Sequence, residues 1–225
     1  MICIVIPTLN CAMHLSMLLP QLDGNNRVVI ADGGSTDETI SVAVKKAVIA
    51  AGAKGRGSQL ALGARHSGEA EWLFFIHADN QLPADWKASI QQHITRHPGA
   101  VGYFRYRANA KGFWPRFMDF WVRMRCQWWG LPYGDQGLLI SKEMYEAVGG
   151  HPDQILFEDV VLIDAIKAKF GRTALRPLKG YMSIDVSKYK KEGIWTRGHK
   201  NLKLLKAFRQ GEDLEVLAKK YEEGL

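Results

Sequence analysis

An α/β fold built on a mostly parallel sheet flanked by helices is predicted from three features of the 225-residue chain. Short apolar runs alternate with helical patterns through residues 1–99. The runs are apolar throughout, as strands buried on both faces of a parallel sheet require. Turns rich in Gly, Ser and Asp follow them. Such alternation argues for right-handed crossovers in an open sheet, and ligands of such sheets bind beyond the carboxyl ends of the strands.

The elements follow in order. Ile2-Cys3-Ile4-Val5-Ile6, stopped by Pro7, is the first strand, and Leu9 to Leu22 the first helix. Arg27 to Ala31 is a second strand; the turn Asp32 to Asp37 leads into a helix over Glu38 to Lys46, and Val48 to Ala53 forms a third strand. Gly55 to Arg65 is interrupted by Gly but helical towards its end. Trp72 to Ile76 is a fourth buried strand, and Pro83 opens a helix to Arg96 at the first helical position, where its missing N–H costs nothing. The second part is less regular. Val101 to Ala108 reads as a strand, and Trp114 to Trp129 as a helix with Phe113, Phe117, Trp121, Met124 and Trp128 on one stripe. Gly137 to Ile140 is a short strand, Lys142 to Val148 a short helix and Glu158 to Phe170 a longer one. Helical patterns near Lys200 to Phe208 and Leu214 to Tyr221 form the tail. With no linker and no repeat, residues 1–225 read as one domain: a nucleotide-type half over 1–99, and an added part over 100–225 ending in a basic helical tail.

Charge is unevenly placed. The formal net charge is +7, but residues 1–164 carry 15 basic and 16 acidic side chains, against 15 and 7 in residues 165–225. A local basic patch meeting phosphate is therefore expected rather than a uniformly basic protein. Cys3, Cys11 and Cys126 suggest neither a disulfide framework nor a zinc site, and the chain starts on an apolar run without a basic leader, so a cytoplasmic location is expected. No uncharged stretch approaches the ~20 residues that span a bilayer, so membrane contact is expected to be peripheral.

Three features that could carry chemistry fall after successive strands. Pro7-Thr8-Leu9-Asn10 ends the first. Asp32 ends the second, ahead of Gly33-Gly34-Ser35-Thr36-Asp37, where free helix amides can meet phosphate or ribose. Ser35 or Thr36 also suits helix capping, but a carboxylate at an apolar strand end needs a partner. His77-Ala78-Asp79 ends the fourth strand; an Asp there can hold Mg2+ or Mn2+ by oxygen while a diphosphate fills other positions. Arg56, between Gly55 and Gly57, offers a guanidinium where a phosphate can approach.

In this order the motifs resemble family-2 glycosyltransferases of the GT-A fold, a Rossmann-like α/β architecture, and most of all their short one-domain bacterial branch. Ile4-Val5-Ile6-Pro7-Thr8, Ala31-Asp32-Gly33-Gly34-Ser35-Thr36-Asp37, Gly55-Arg56-Gly57, His77-Ala78-Asp79, Gly134-Asp135-Gln136-Gly137, Gly149-Gly150 and Glu158-Asp159 carry the resemblance over residues 2–164. It implies inverting transfer from a nucleotide-diphosphate sugar, UDP-linked by expectation, to a hydroxyl acceptor that a lipid could carry. Pro7, Thr8, Asn10, Asp32, Gly34, Arg56, His77, Ala78 and Asp79 would line the donor side; Gly134, Asp135, Gln136 and Trp195 the acceptor side. Asp159 would act as general base, with Glu158 beside it. The family's Asp-x-Asp metal position reads His77-Ala78-Asp79 here, leaving Asp79 as its one carboxylate, and His199 is the candidate second metal ligand for Mg2+ or Mn2+. Cys11 stands where many relatives carry an acid. The Lys-rich stretch from Lys188 to Lys200 could fold over the diphosphate.

Two other classes compete. A nucleotidyltransferase would want a basic Gly-rich loop after the first strand, and Thr8-Leu9-Asn10-Cys11-Ala12 has no Lys or Arg. A nucleic-acid-binding module would use the tail, where Lys167 to Arg209 holds 13 basic and 2 acidic residues, but no recognised motif accompanies them and no nucleic-acid partner is expected. The segment Trp114 to Trp129, with Arg116, Arg123 and Arg125, reads either as a core helix or as a surface helix meeting lipid.

Overall fold

A computed structural model describes residues 1–22, 24, 26–186 and 194–223, with the side chains of 194–197 and 222–223 outside that description. Its centre is a seven-stranded sheet in the order β3-β2-β1-β4-β6-β5-β7. The strands are β1 (Ile2–Thr8), β2 (Arg27–Asp32), β3 (Val48–Ala51), β4 (Trp72–Phe75), β5 (Val101–Ala108), β6 (Leu138–Ser141) and β7 (Leu175–Ile184). β6 alone runs against its neighbours β4 and β5; the pairs β1–β2, β2–β3, β1–β4 and β5–β7 are parallel. The expected mostly parallel sheet is therefore present. Helices α1 (Ala12–Leu18), α2 (Thr39–Ala43), α3 (Arg56–Arg65), α4 (Trp86–Arg96), α5 (Phe113–Trp129), α6 (Lys142–Ala147), α7 (Glu158–Phe170), α8 (Ile194–Arg209) and α9 (Leu214–Glu223) surround it.

The two-residue period of the strands divides the core. Ile4, Ile6, Ile30 and Phe74 face α1 and α4 through Leu15, Leu18, Trp86 and Ile90. Cys3, Val5, Val29 and Phe75 face α3, α6 and α7 through Leu60, Met144, Val160 and Ile163. Every one of these side chains is under a tenth exposed, which explains why the runs carry apolar residues at consecutive positions.

The order places a topological switch beside β1. The chain leaves β1 for β2 and β3, then crosses back to β4 on the other side of β1. The loops after β1 and β4 thus diverge and open a crevice at the carboxyl edge of the sheet.

Several boundaries differ from the sequence reading. α1 starts at Ala12 rather than Leu9, because residues 9–11 form a loop in which Asn10 takes a left-handed φ of 50°. α4 starts at Trp86, preceded by a turn in which the Trp86 N–H donates to the Pro83 carbonyl. β7 was not expected. It is an edge strand, a position that tolerates Pro177 and Gly180, and it buries Leu178, Met182 and Ile184 while leaving Arg176, Lys179 and Tyr181 exposed.

α5 corrects the core reading of the aromatic stripe. Met118 and Val122 pack on the core and Met124 and Cys126 are buried, whereas Phe113, Trp114, Phe120, Trp121, Trp128 and Trp129 are 45–71% exposed. The helix is fastened by polar contacts instead. Asp119 accepts the Ala108 N–H at 2.7 Å, and Arg116 donates to the carbonyls of Ala108 and Ala110 at 2.9 and 2.7 Å. Among the described residues no helix is long and apolar enough to cross a membrane.

Candidate active site

The first two loops are built as one unit. Asp32, 3% exposed, accepts from Thr8 Oγ1 at 2.9 Å, from the backbone N–H groups of Gly34 and Ser35 at 2.9 and 2.8 Å, and from Ser35 Oγ at 2.5 Å. Burial pushes its pKa up, but these hydrogen bonds outweigh it and hold the carboxyl below its usual value. The partner that the sequence demanded of Asp32 is thus its own loop. Four hydrogen bonds from that loop make Asp32 the post around which its turn is wound. Thr8 spends its hydroxyl on the same bond. Asn10 ties in the far side, donating its N–H to Ser35 Oγ at 2.9 Å and accepting the Thr36 N–H at 2.8 Å. Gly34 is exposed at the tip, and Pro7 is half-buried at the strand end. Burial raises the pKa of Cys11, so it stands there as a neutral thiol.

Gln59, which the sequence reading passed over, joins this unit to α3. Its buried Nε2 donates to the carbonyls of Thr8 and Ala31, both at 2.8 Å, where β1 and β2 end. Beside it α3 comes close to the chain at 152–154. A Cβ on Gly57 would lie 2.1 Å from the Pro152 carbonyl oxygen, so only glycine permits this approach.

That approach sets Arg56, at the first turn of α3, against Glu158, at the first turn of α7. Arg56 Nη1 lies 3.4 Å from Glu158 Oε1. Glu158 is 2% exposed, and its burial drives its pKa well up, with Arg56 opposing and Asp159 reinforcing the shift. Glu158 is thus the buried partner of Arg56, and it lines a small cavity together with His77, Gly134 and Asp159. Phe157, in a left-handed conformation with φ 62°, turns the chain into α7 so that Asp159 emerges next.

Asp159 is half-buried, and its Oδ2 accepts the Gly134 N–H at 2.8 Å. Gly134 opens a short 3-10 turn, Gly134–Gln136. A Cβ there would lie 3.2 Å from His77 Nε2 and 3.7 Å from Asp159 Cβ, so the glycine lets the β4 loop and α7 meet. His77 is held by its own N–H donating to Asn80 Oδ1 at 2.8 Å, and Asn80 donates to the Asp135 carbonyl at 3.0 Å. Burial, helped by the Arg56 charge, lowers the His77 pKa, so its ring is neutral near pH 7. His151, unremarked in the sequence, is also a buried neutral imidazole, its pKa pushed down to about 3 by burial, and it pairs with the Tyr145 hydroxyl at 3.0 Å.

Asp135 is unlike its neighbours. Its Oδ1 is buried without a hydrogen-bond partner, and burial raises its pKa from 3.8 to about 6; Arg125 opposes the shift, while Asp159 and Asp79 add to it. A ligand hydroxyl would satisfy that oxygen. Gln136, expected on the acceptor side, is 1% exposed and fully used inside. Its Nε2 donates to the Phe104 carbonyl at 2.9 Å, and its Oε1 accepts from Arg125 at 3.1 Å and Tyr133 N–H at 3.3 Å. These contacts fix the turn.

Asp79 is exposed at the end of the β4 loop, with Ala78 buried behind it, and lines an open cleft of about 510 Å³ with Asp185. Among the described residues no group of three or more His, Cys, Asp or Glu side chains is arranged to hold a metal ion. Asp79 offers a single hard oxygen, of the kind Mg2+ or Mn2+ takes when a diphosphate fills further positions. His199 is an exposed residue of α8 and completes no such cluster. Trp195 lies in α8 with its side chain outside the described residues, as do Lys188, Lys190 and Lys191 altogether.

The fold is similar to that of several solved enzymes. A Staphylococcus aureus TarS fragment, residues 1–349, in complex with UDP-GlcNAc aligns at 17% identity and TM-score 0.63, over 82% of this chain and 58% of that one. Mannosyl-3-phosphoglycerate synthase from Rubrobacter xylanophilus aligns at 13% identity and TM-score 0.59, over 84% and 69% of the two chains. Glucosyl-3-phosphoglycerate synthase from Mycobacterium tuberculosis, in complex with Mn2+, UDP and glucosyl-3-phosphoglycerate, aligns at 18% identity and TM-score 0.56, over 81% and 70%. The chain spans about three-fifths of the TarS fragment's length. No curated protein matches the sequence. The sheet with its single reversed strand is of the GT-A type, and the sequence pattern of the glycosyl transferase family 2 matches residues 3–152, two-thirds of the chain; the protein belongs to that family.

Proposed function

We propose that the protein transfers a sugar, with inversion, from a nucleotide-diphosphate sugar to an acceptor hydroxyl. The observation that carries the reading is Asp159, fixed by the Gly134 N–H at 2.8 Å in a crevice that also gathers His77, Asp135 and Arg56 at the carboxyl edge of the sheet. UDP is the expected nucleotide, since TarS has been captured with UDP-GlcNAc and the mycobacterial synthase with UDP and Mn2+.

In this reading each group has one task. The Gly134 N–H on Oδ2 and the Val160 N–H on Oδ1, at 2.8 and 2.7 Å, orient Asp159 so that a remaining lone pair can take the proton of the attacking hydroxyl. Asp135, with its unpartnered oxygen, receives a hydroxyl of the donor sugar or acceptor. Arg56, anchored by Glu158, presents positive charge to the departing diphosphate. The neutral His77 ring walls the crevice without adding charge. The Asp32 loop offers backbone edges to the nucleoside. A divalent ion held by Asp79 would neutralise charge on the leaving group. The exposed aromatic edge of α5 and its arginines suit work at the inner face of a membrane, on a lipid-linked acceptor.

Asp159→Asn tests the assignment. Transfer from a UDP-sugar should fall at least 10³-fold, in keeping with the loss of a general base and its charge, while UDP affinity measured by calorimetry stays within twofold. Near wild-type turnover would end the assignment of Asp159 as base.

A further inference from the structure

A second cavity, of about 230 Å³, opens between β5, β7 and α5. Four arginines line it, Arg105, Arg107, Arg116 and Arg123, against one acid, Asp119. Asp119 is shared between two of them: its Oδ2 lies 2.8 Å from Arg116 and 3.6 Å from Arg107 Nε. Arg116 also spends its Nη2 on the two carbonyls that fasten α5. Asp119 and Arg116 thus belong to the frame.

Of the other three guanidiniums, only Arg107 reaches that acid, and only at 3.6 Å. Among the described residues Arg105 and Arg123 have no carboxylate within ion-pair distance, and Arg123 rests over the Phe120 ring at 5.6 Å. Arg107 Nε is buried yet has no hydrogen bond, because 3.6 Å to Asp119 is too long for one. Its guanidinium lies over the Tyr181 ring at 4.1 Å, which fixes the plane of the fork. A buried N–H without an acceptor, in a cavity with a lining charge of +3, calls for an oxyanion. A phosphate monoester dianion meets that charge and matches the paired N–H geometry of guanidinium.

The cavity adjoins the crevice. Gln136 forms part of its wall, and the two residues before it are Asp135, with the unpartnered oxygen, and Gly134, which holds Asp159. A ligand anchored here could direct a hydroxyl across the Gly134–Gln136 turn. We propose that this arginine cavity is an oxyanion subsite that takes the phosphate group of the acceptor. The inference rests on the transfer reading only in calling the ligand an acceptor; the anion site itself follows from the cavity.

The test uses the full chain with UDP and Mg2+ at saturation, so that the donor crevice is filled. Glycerol 3-phosphate and vesicles of phosphatidic acid in phosphatidylcholine are titrated against wild type and Arg105→Gln/Arg123→Gln, two exposed side chains outside the Asp119 frame. Binding should weaken at least tenfold in the double variant, with UDP affinity unchanged. Loss with both probes supports a site for free phosphate esters, and loss with vesicles alone supports a lipid headgroup. Equal binding by wild type and variant, or no saturable binding of either probe to wild type, would overturn the inference. A wild type that binds glycerol 3-phosphate but not UDP would instead count against the transfer reading and leave the anion site standing.

Discussion

Asp135→Asn should make the protein more stable while stopping its chemistry. The Asp135 carboxyl has its pKa raised from 3.8 to about 6, chiefly by burial, with Asp159 and Asp79 adding repulsion. Because the folded value lies above the unfolded one, the folded protein favours the protonated acid. The stability linked to this group is complete below about pH 4 and lost as pH rises through about 6. Two pKa units correspond to about 3 kcal/mol. Asparagine has no charge to desolvate, so Asp135→Asn should gain up to that amount at pH 8 and nothing at pH 4. Its new NH2 group finds acceptors in the neighbouring carboxylates, which preserves the gain. With a urea m-value of about 2–3 kcal/mol per M, the midpoint should move up by ~1 M at pH 8. Urea titrations at pH 4.5, 6 and 8, run beside a transfer assay, check both halves. A variant equally or less stable at pH 8, or a difference that ignores pH, would refute the argument that Asp135 is a strained, ligand-seeking carboxylate.

Gly134→Ala should reduce transfer on the order of 10²-fold, as small displacements of reacting groups do, because its Cβ would lie 3.2 Å from His77 Nε2 and crowd Asp159; UDP affinity measured in parallel should be unchanged. The exposed aromatic edge of α5 should bring the chain down with vesicles rich in anionic lipid at low salt, and Trp114→Ser/Trp121→Ser should release it; no sedimentation of wild type would remove the lipid role of this helix.

Much of the sheet could be read from sequence because strands buried on both faces announce themselves: Ile2 to Ile6, Arg27 to Ala31 and Trp72 to Ile76 all lie in or against the central strands. β7 escaped because an edge strand needs only one buried face, and its Pro177, Gly180 and interleaved charges read as loop. α5 misled in another way. Helical periodicity reports a shared face but not what lies against it, and the stripe through Phe113, Trp121 and Trp128 turned outward because Asp119 and Arg116 moor the opposite side. At the site, residue types singled out Asp159 and Asp79 as candidates, since strand ends and helix starts are where such acids can work. What each acid touches was not legible. The Thr8 bond to Asp32, the burial of Glu158 against Arg56 and the internal use of Gln136 depend on contacts between residues dozens of positions apart. Gln59 carried no signal at all, for an amide inside a helix looks like surface until two strand ends are seen to need its donors.

The charges of the crevice bear on the metal. Asp79, Asp135, Glu158 and Asp159 act on one another or on Arg56, and Arg56 and Arg125 are the guanidiniums that act on them. A nucleotide-sugar diphosphate brings about two further negative charges. At an effective dielectric of about 20, each unit pair of like charges about 6 Å apart costs roughly 3 kcal/mol. Two guanidiniums, one of them committed to Glu158, leave part of that sum unmet even with burial drawing Asp135 and Glu158 toward their neutral forms, and we propose that donor binding draws on added positive charge. Asp79 is the exposed carboxylate of the four and so the one placed to share a divalent ion with the diphosphate. UDP affinity should therefore fall at least tenfold when Mg2+ is replaced by EDTA, and Asp79→Ala should abolish the difference between the two conditions without changing the EDTA value by more than about twofold. Equal UDP affinity with and without Mg2+ in the wild type would show that the basic residues of the chain carry the neutralisation alone. The same result would leave Asp79 without the task assigned to it.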